Sequence, residues 1–516
     1  MLILNTVRHL NYSQVFYQIG NRLKRNQSLV PSRIFEGALT NIQFIVKAKS
    51  YQKYVGRDHF SFLNVDNCFE NHIDWNFSEY GKLWTYNLEY FDYLHQEDLE
   101  LNEKIRLLED FYKFSVQRKR TLEPYPVSLR AINIIRFTKA NNLGNQSYHS
   151  YLYQELDYLH KNYEFHILGN HLLENAFALS MGGAYFDNQK WHSKAISILR
   201  RELEEQILAD GAHFELSPMY HNIIFFRLLE LIDWYSNYEH KDNSFLSFCQ
   251  EKASLMLSWL ENIRFENGDI PLFNDAANGI AYPSEYLIDY AHGLGIQRRL
   301  IPLGESGYRS FMSSVYEIKI DVAQIGASYQ PGHAHADALS FILYHKGQPM
   351  FVEQGTSTYQ IGTRRDLERS TEAHNTVVVD GRNQSQVWGG FRVAKRAKTT
   401  IHIDQADIIE ASHDGYKSLD IRHKRQFLFK EDILSVKDEL SNDGSGLFYL
   451  HLHPDRNITS IQGNTVLIDD SIAVDFKGAI NIASEKYEYA DTYNQYKKAS
   501  RLVVTFTSNL ETRINF

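Results

Sequence analysis

The hydrophobic period of this chain changes once, near Leu303, and that change dictates a two-part architecture. After the segment Trp84–Gln96, apolar residues recur at i, i+3 and i+4, predicting helices at about 101–118, 127–141, 148–162, 170–183, 190–208, 218–238, 244–264 and 283–294. No strand pattern interrupts them, so this half reads as all-α. Beyond Leu303, segments such as YEIKIDVAQIGA, HNTVVVDG, RQFLFKEDILSVKDEL and SRLVVTFTS alternate or run β-branched between Gly, Asn and Asp turns. They predict an antiparallel β domain of a dozen or more strands in stacked sheets. A chain of 516 residues exceeds what one core supports. The expected division is a helical and irregular lead-in at 1–80, a helical domain at 81–303 and a β domain at 304–516. Within the lead-in, Asn5–Arg25 reads as a packed amphipathic helix, weighed against membrane contact. Residues 30–80 read as irregular and aromatic.

Composition then removes whole classes of function. A net charge of −9 argues against a general nucleic-acid binder and restricts polyanion binding to local patches. Cys68 and Cys249 are the only cysteines, so neither a disulfide framework nor a cysteine metal site is expected. No phosphate-binding loop, dinucleotide fingerprint or serine-hydrolase elbow is present, and no organic cofactor is expected. The first residues lack a signal-peptide pattern, and no stretch approaches the ~18 apolar residues needed to span a bilayer. The expectation is a cytoplasmic protein without membrane association, or a periplasmic or secreted one if the sequence is trimmed. Oligomeric state is not legible.

Three clusters carry chemistry. In Asn170-His171-Leu-Leu-Glu174, His171 and Glu174 share a helix face at i, i+3, where a carboxylate can orient an imidazole. In GAHFELSPMYHN, with His213, Glu215, Tyr220 and His221, Ser217-Pro218 starts a helix whose positive end favours a Tyr220 phenolate. The stretch from His333 to Arg396 holds His333 and His335 alternating along a strand-like HAHAD, with Glu353 and His374 at later strand ends. Two histidines and a carboxylate on adjacent strands form a recognised type of zinc site. The basic run Arg364, Arg365, Arg369, Arg392, Lys395 and Arg396 offers bidentate donors for carboxylates or sulfates, or else a solvated charged face.

Taken in order, GNHLLENAFAL (169–179), DGAHFELSPMYH (210–221), FNDAANG (273–279), HAHADALSF (333–341), FVEQGTSTY (351–359), RSTEAHNTVVVDG (369–381) and QVWGGF (386–391) resemble the heparinase II/III-type polysaccharide lyases. The resemblance implies an α+β multidomain fold: an N-terminal incomplete (α/α) toroid followed by a C-terminal antiparallel β-sandwich. It implies β-elimination on an acidic, uronate-containing polysaccharide, with unsulfated or lightly sulfated glucuronate polymers preferred on charge. Asn170 and His171 resemble the pair that neutralises the uronate carboxylate, Tyr220 the catalytic tyrosine and His333 the catalytic histidine. Glu174 and Glu215 support them. A structural zinc is implied at His335, Glu353 and His374, Glu353 standing where the family commonly has Asp. Trp84, Tyr86, Tyr90, Arg130, Tyr329, Arg369 and Trp388 are the expected subsite groups. A catalytically silent polysaccharide-binding or exopolysaccharide-biosynthesis protein on the same scaffold is the alternative.

Overall fold

The structure, a computed structural model, describes residues 2–23, 26–31, 35–37, 39–50 and 53–516. Its helical half is built from Lys82–Tyr90, Leu101–Gln117, Pro124–Ala140, His149–Lys161, Gly169–Tyr185, Gln189–Gln206, Pro218–Ser236, Asn243–Ile263 and Ser284–Gly293. Gly169–Tyr185 packs against two other helices, Pro124–Ala140 before it in the chain and Gln189–Gln206 after it. Gly169–Tyr185 and Pro218–Ser236 are apolar on nearly every face, which places them centrally, because a helix that is hydrophobic all round must be buried.

The β half is a sandwich. One sheet of four strands, Tyr308–Met312, Tyr316–Asp321, Phe341–His345 and Gln348–Phe351, runs antiparallel in chain order. The other has ten strands, dominated by the long pair Ile472–Tyr489 and Lys497–Asn515. Side chains of both sheets, among them Ile318, Phe341, Val436, Phe448 and Ile514, share one core. A second apolar cluster joins the halves: Trp259, Phe265 and Phe273 from the helical side pack with Tyr308, Ile342 and Tyr344 of the small sheet. Phe265 and Tyr344 stack at 3.7 Å. The toroid-then-sandwich expectation is met.

The lead-in departs from expectation. Residues 53–68 form a three-stranded antiparallel sheet, Lys53–Gly56, His59–Phe62 and Val65–Cys68. Its strands are four residues long, too short for a period to register. Its turns rest on left-handed Arg57-Asp58 and Leu63-Asn64, pairs without the glycine that flags a tight hairpin. The Asn5–Arg25 segment is two helices, Leu2–Val7 and Tyr12–Leu23, with Lys24 and Arg25 outside the described residues. Neither is packed into the core: Gln14 is the buried side chain described among them. The HAHAD segment is loop rather than strand, and Thr363–Glu368 is a helix inside a stretch expected to be β.

Two expected subsite groups belong to the scaffold instead. Trp84 is buried, and its indole N–H donates to the Val65 carbonyl at 3.0 Å. Arg130 is buried against the Phe111 ring and forks onto Glu155 at 3.0 and 2.5 Å. A buried charge survives only when paired. Arg130→Leu is expected to cost about 3–5 kcal/mol by stranding Glu155, and adding Glu155→Leu to recover most of that loss, read from denaturant midpoints.

Candidate active site in the interdomain cleft

A cleft of about 1360 Å³ opens between the halves, lined by Asn170, His171, Glu174 and Tyr220 from the helices and by Tyr329, His333, Tyr359 and Trp388 from the β side. Its floor is organised by Asp275, in the loop after the helix Asn243–Ile263. This buried carboxylate lies 2.9 Å from His333 Nδ1 through Oδ2 and 2.9 Å from His335 Nε2 through Oδ1. It also receives both Nη groups of Arg365, at 2.5 and 2.7 Å. Burial opposes its ionisation, yet the Arg365 charge and the three donors hold it well below the usual carboxylate range. An ionised Asp275 takes the Nδ1–H of His333 and leaves Nε2 as the accepting nitrogen. Backbone contacts lock the arrangement across the domain boundary, since the Asp275 N–H donates to the His333 carbonyl at 3.0 Å.

Tyr220 lies against this pair. Pro218 occupies the first turn of its helix, and the Ser217 hydroxyl caps that turn by accepting from the Tyr220 N–H at 3.3 Å while donating to the Asp275 carbonyl at 2.6 Å. The phenol stacks on the His333 imidazole, with centroids 3.8 Å apart, and its hydroxyl meets that of Tyr359 at 3.3 Å. The expected phenolate is not what this environment favours. Burial first, then neighbouring Tyr493, Asp275 and Glu215, push the phenol well above 10, outweighing the helix terminus.

On the helical wall, Asn170 and His171 open the helix Gly169–Tyr185. The Asn170 backbone N–H donates to Glu215 Oε1 at 2.9 Å, and its side-chain amide spans both Glu215 oxygens. Glu215 in turn comes within 3.6 Å of His333 Nε2. Position 169 has to be glycine: its φ is +56°, and a Cβ there would meet Glu215 Oε1 at 2.4 Å. His171 pairs at 3.1 Å with Glu164 rather than with Glu174 as the i, i+3 spacing suggested, and its ring lies 4.3 Å from that of Tyr125. Burial lowers its affinity for a proton, but Glu164 more than compensates, and the net shift is upward. Glu174 instead meets Arg227 at 3.1 Å.

The remaining expected groups divide. Tyr86, Tyr90, Tyr329 and Trp388 line the cleft. Arg369 does not: it is buried and donates to the carbonyls of Ala334, Gly390 and Arg392. Arg364 and Arg365 are likewise committed, to Glu368 and Asp275, so the first half of the basic run braces the fold, whereas Arg392 and Lys395 are exposed and Arg392 and Arg396 line the cleft. The residues missed were Asp275, Arg365, Glu164 and Tyr359. Asp275 lay inside the FNDAANG motif and Arg365 inside the arginine run, but no spacing rule joins residues 58 or 90 positions from their partners.

Behind His333, ligand atoms of His335, Asp337 and His374 lie within 4.8 Å of one another. His335 Nδ1, Asp337 Oδ2 and His374 Nε2 are buried without a hydrogen-bond partner among the described residues. Buried orphaned donor atoms of this chemistry fit a zinc ion. The acid grouped with the two histidines is Asp337 rather than the expected Glu353. Glu353 Oε2 sits 2.8 Å from His374 Nδ1, beside the triad, and both its oxygens are likewise buried without a hydrogen-bond partner among the described residues. Burial first, then the nearby Glu353, pushes Asp337 up to about 7, a cost that a cation would relieve. Elemental analysis is expected to find zinc lost in Asp337→Asn and retained, with about 10-fold or greater weakening, in Glu353→Gln.

The geometry agrees with what comparison with known proteins finds. Residues 123–288 match the heparinase II/III N-terminus, and residues 296–516 match the heparinase II/III-like C-terminal domain. A heparin-sulfate lyase of Bacteroides stercoris is 25% identical over 313 residues, 55% of this chain and 45% of that protein. One from Pedobacter heparinus is 26% identical over 334 residues, 59% and 48% respectively. The chain thus spans about half the length of these curated relatives. A crystal structure of heparinase III shares the fold, with a TM-score of 0.66 and 17% identity over 98% of this chain and 91% of that one.

Proposed function

The chain belongs to the heparinase II/III family, and we propose that it is a polysaccharide lyase that cleaves a uronate-containing polysaccharide by β-elimination in the interdomain cleft. The observation that carries this reading is the Tyr220–His333 stack, a proton donor lying against a proton acceptor that Asp275 holds in place. The C5 proton of a uronate leaves only if negative charge on the adjacent carboxylate is neutralised in the transition state. His171, biased toward imidazolium by Glu164, suits that task. Asn170 joins it when its amide turns from Glu215 to the substrate. His333 Nε2 takes the C5 proton, the C–H electrons form the C4–C5 double bond, and the C4–O bond breaks. Tyr220, held as a phenol, protonates the departing oxygen and regains its proton from His333. A zinc ion held by His335, Asp337 and His374 would tie the β-domain loops together behind His333.

Acid and base on one side favour syn elimination, in which C5–H and C4–O share a face of the sugar, and so support a glucuronate-type unit. Elimination across the ring would call on a base from the helical wall, and His171 there is biased toward its protonated form. Of the cleft cations, Lys82, Arg136 and Arg227 are matched by Glu123, Glu230 and Glu174, whereas Arg22, Arg392 and Arg396 line the cleft without an ion pair among the described residues. The net charge of −9 supports an unsulfated or lightly sulfated chain.

Incubation with heparosan, hyaluronan, chondroitin, alginate and pectate, followed by ultraviolet absorbance of the unsaturated uronate, tests the reading. Absorbance is expected to grow fastest with the unsulfated glucuronate polymers, and silence across the panel would point to a binding protein. Tyr220→Phe and His333→Ala are each expected to lower kcat by about 10²–10⁴ with folding retained. A raised His171 pKa means that the cation persists to higher pH than on an ordinary imidazole and is lost as pH rises through that higher value. KM is therefore expected to climb with alkalinity in the wild type and to be flatter in His171→Gln.

A further inference from the structure

The helix Tyr12–Leu23 is turned inside out relative to an ordinary surface helix. Its polar stripe faces the protein: Gln14 donates to the Ile167 carbonyl at 3.3 Å, Asn21 Nδ2 lies 2.9 Å from His166 Nδ1, and Tyr17 between them stacks on Phe165. The opposite stripe, one turn apart at each step, is Tyr12, Phe16 and Ile19, which are 97%, 72% and 59% exposed. The preceding helix Leu2–Val7 adds Leu4, 75% exposed, while its Ile3 lines the cleft. Folding alone gives no reason to hold these groups in water, and a contiguous apolar face of this kind marks a contact surface.

Charge identifies the partner. Residues 1–35 contain Arg8, Arg22, Lys24, Arg25 and Arg33 and no acid before Glu36, in a chain whose net charge is −9. A second copy would set one basic segment against another. An anionic surface would complement it. We propose that residues 2–23 dock this protein peripherally on an anionic lipid bilayer, Tyr12, Phe16 and Ile19 entering the headgroup–acyl boundary and the net positive charge of residues 1–35 favouring an anionic surface. None of the described helices is long and apolar enough to cross a membrane, so attachment is interfacial. The cleft wall uses the other side of the same helix, Gln14, Gln18 and Arg22, together with Ile3, Thr6 and Val7 of the preceding one, so docking through Tyr12, Phe16 and Ile19 engages side chains that do not line the cleft.

Vesicle co-sedimentation tests this without any reference to catalysis. The full chain is expected to pellet with phosphatidylcholine vesicles containing phosphatidylglycerol, weakly with phosphatidylcholine alone, and less at about 0.5 M salt. Phe16→Glu with Ile19→Glu should lower binding at least about tenfold, with unchanged circular dichroism. Failure of the wild type to bind anionic vesicles overturns the proposal, as does equal binding to both lipids. A wild-type dimer that the double variant dissociates, seen by light scattering without vesicle binding, overturns it in favour of a second copy.

Discussion

The Asp275 carboxylate is the contact on which the candidate site depends. It is buried and ionised, and a buried carboxylate is tolerated only because Arg365 neutralises it and two imidazoles share its remaining lone pairs. Each partner comes from the β domain, while Asp275 itself follows the last long central helix. One charge therefore fixes the histidine tautomer, the height of the loop bearing His333 and His335, and the docking of two domains. Its ionised state stabilises the fold above the ordinary carboxylate range, and that contribution is lost as pH falls through its lowered value.

The same arrangement relates the two sides of the HAHAD loop. His333 and His335 do share an acid, as their alternation suggested, though from a loop and through different oxygens of Asp275. One histidine faces the cleft. The other turns its free nitrogen toward Asp337 and His374. A cation there would set the position of His335, and through Asp275 the orientation of His333, without meeting substrate.

The sequence made the architecture legible because its helices are long enough for the 3.6-residue period to register, and Pro124–Ala140 or Pro218–Ser236 could be placed within a few residues. The four-residue strands of 53–68 left no period to read. Site residues were legible where motif and chemistry coincided, as at Asn170, His171, Tyr220 and His333, all of which line the cleft. Spacing misled where tertiary pairing overrode it. Glu174 shares a helix face with His171 yet is drawn to Arg227. Arg130 and Arg369 looked like polyanion ligands because sequence does not reveal that a cation will be buried on Glu155 or on carbonyl oxygens.

Backbone geometry explains why such a site needs both domains. Leu168, Leu216 and Asn274 all adopt left-handed φ values, 65°, 56° and 56°. Each lies within two residues of a group that shapes the site: Asn170, Glu215 and Asp275. For a leucine that conformation is costly, and it persists only where the surroundings over-determine it. Here the surroundings are identifiable, because Tyr308 of the β domain donates its hydroxyl to the Leu216 carbonyl at 2.5 Å and the Asn274 amide donates to that same oxygen at 3.0 Å. Asn274 Oδ1 then accepts from the His335 N–H at 2.9 Å. Strain on the helical side is thus held by hydrogen bonds that include the sandwich, so separating the domains would release the Glu215 and Asp275 segments together. The cleft is better understood as an interface under tension than as a groove carved in either half.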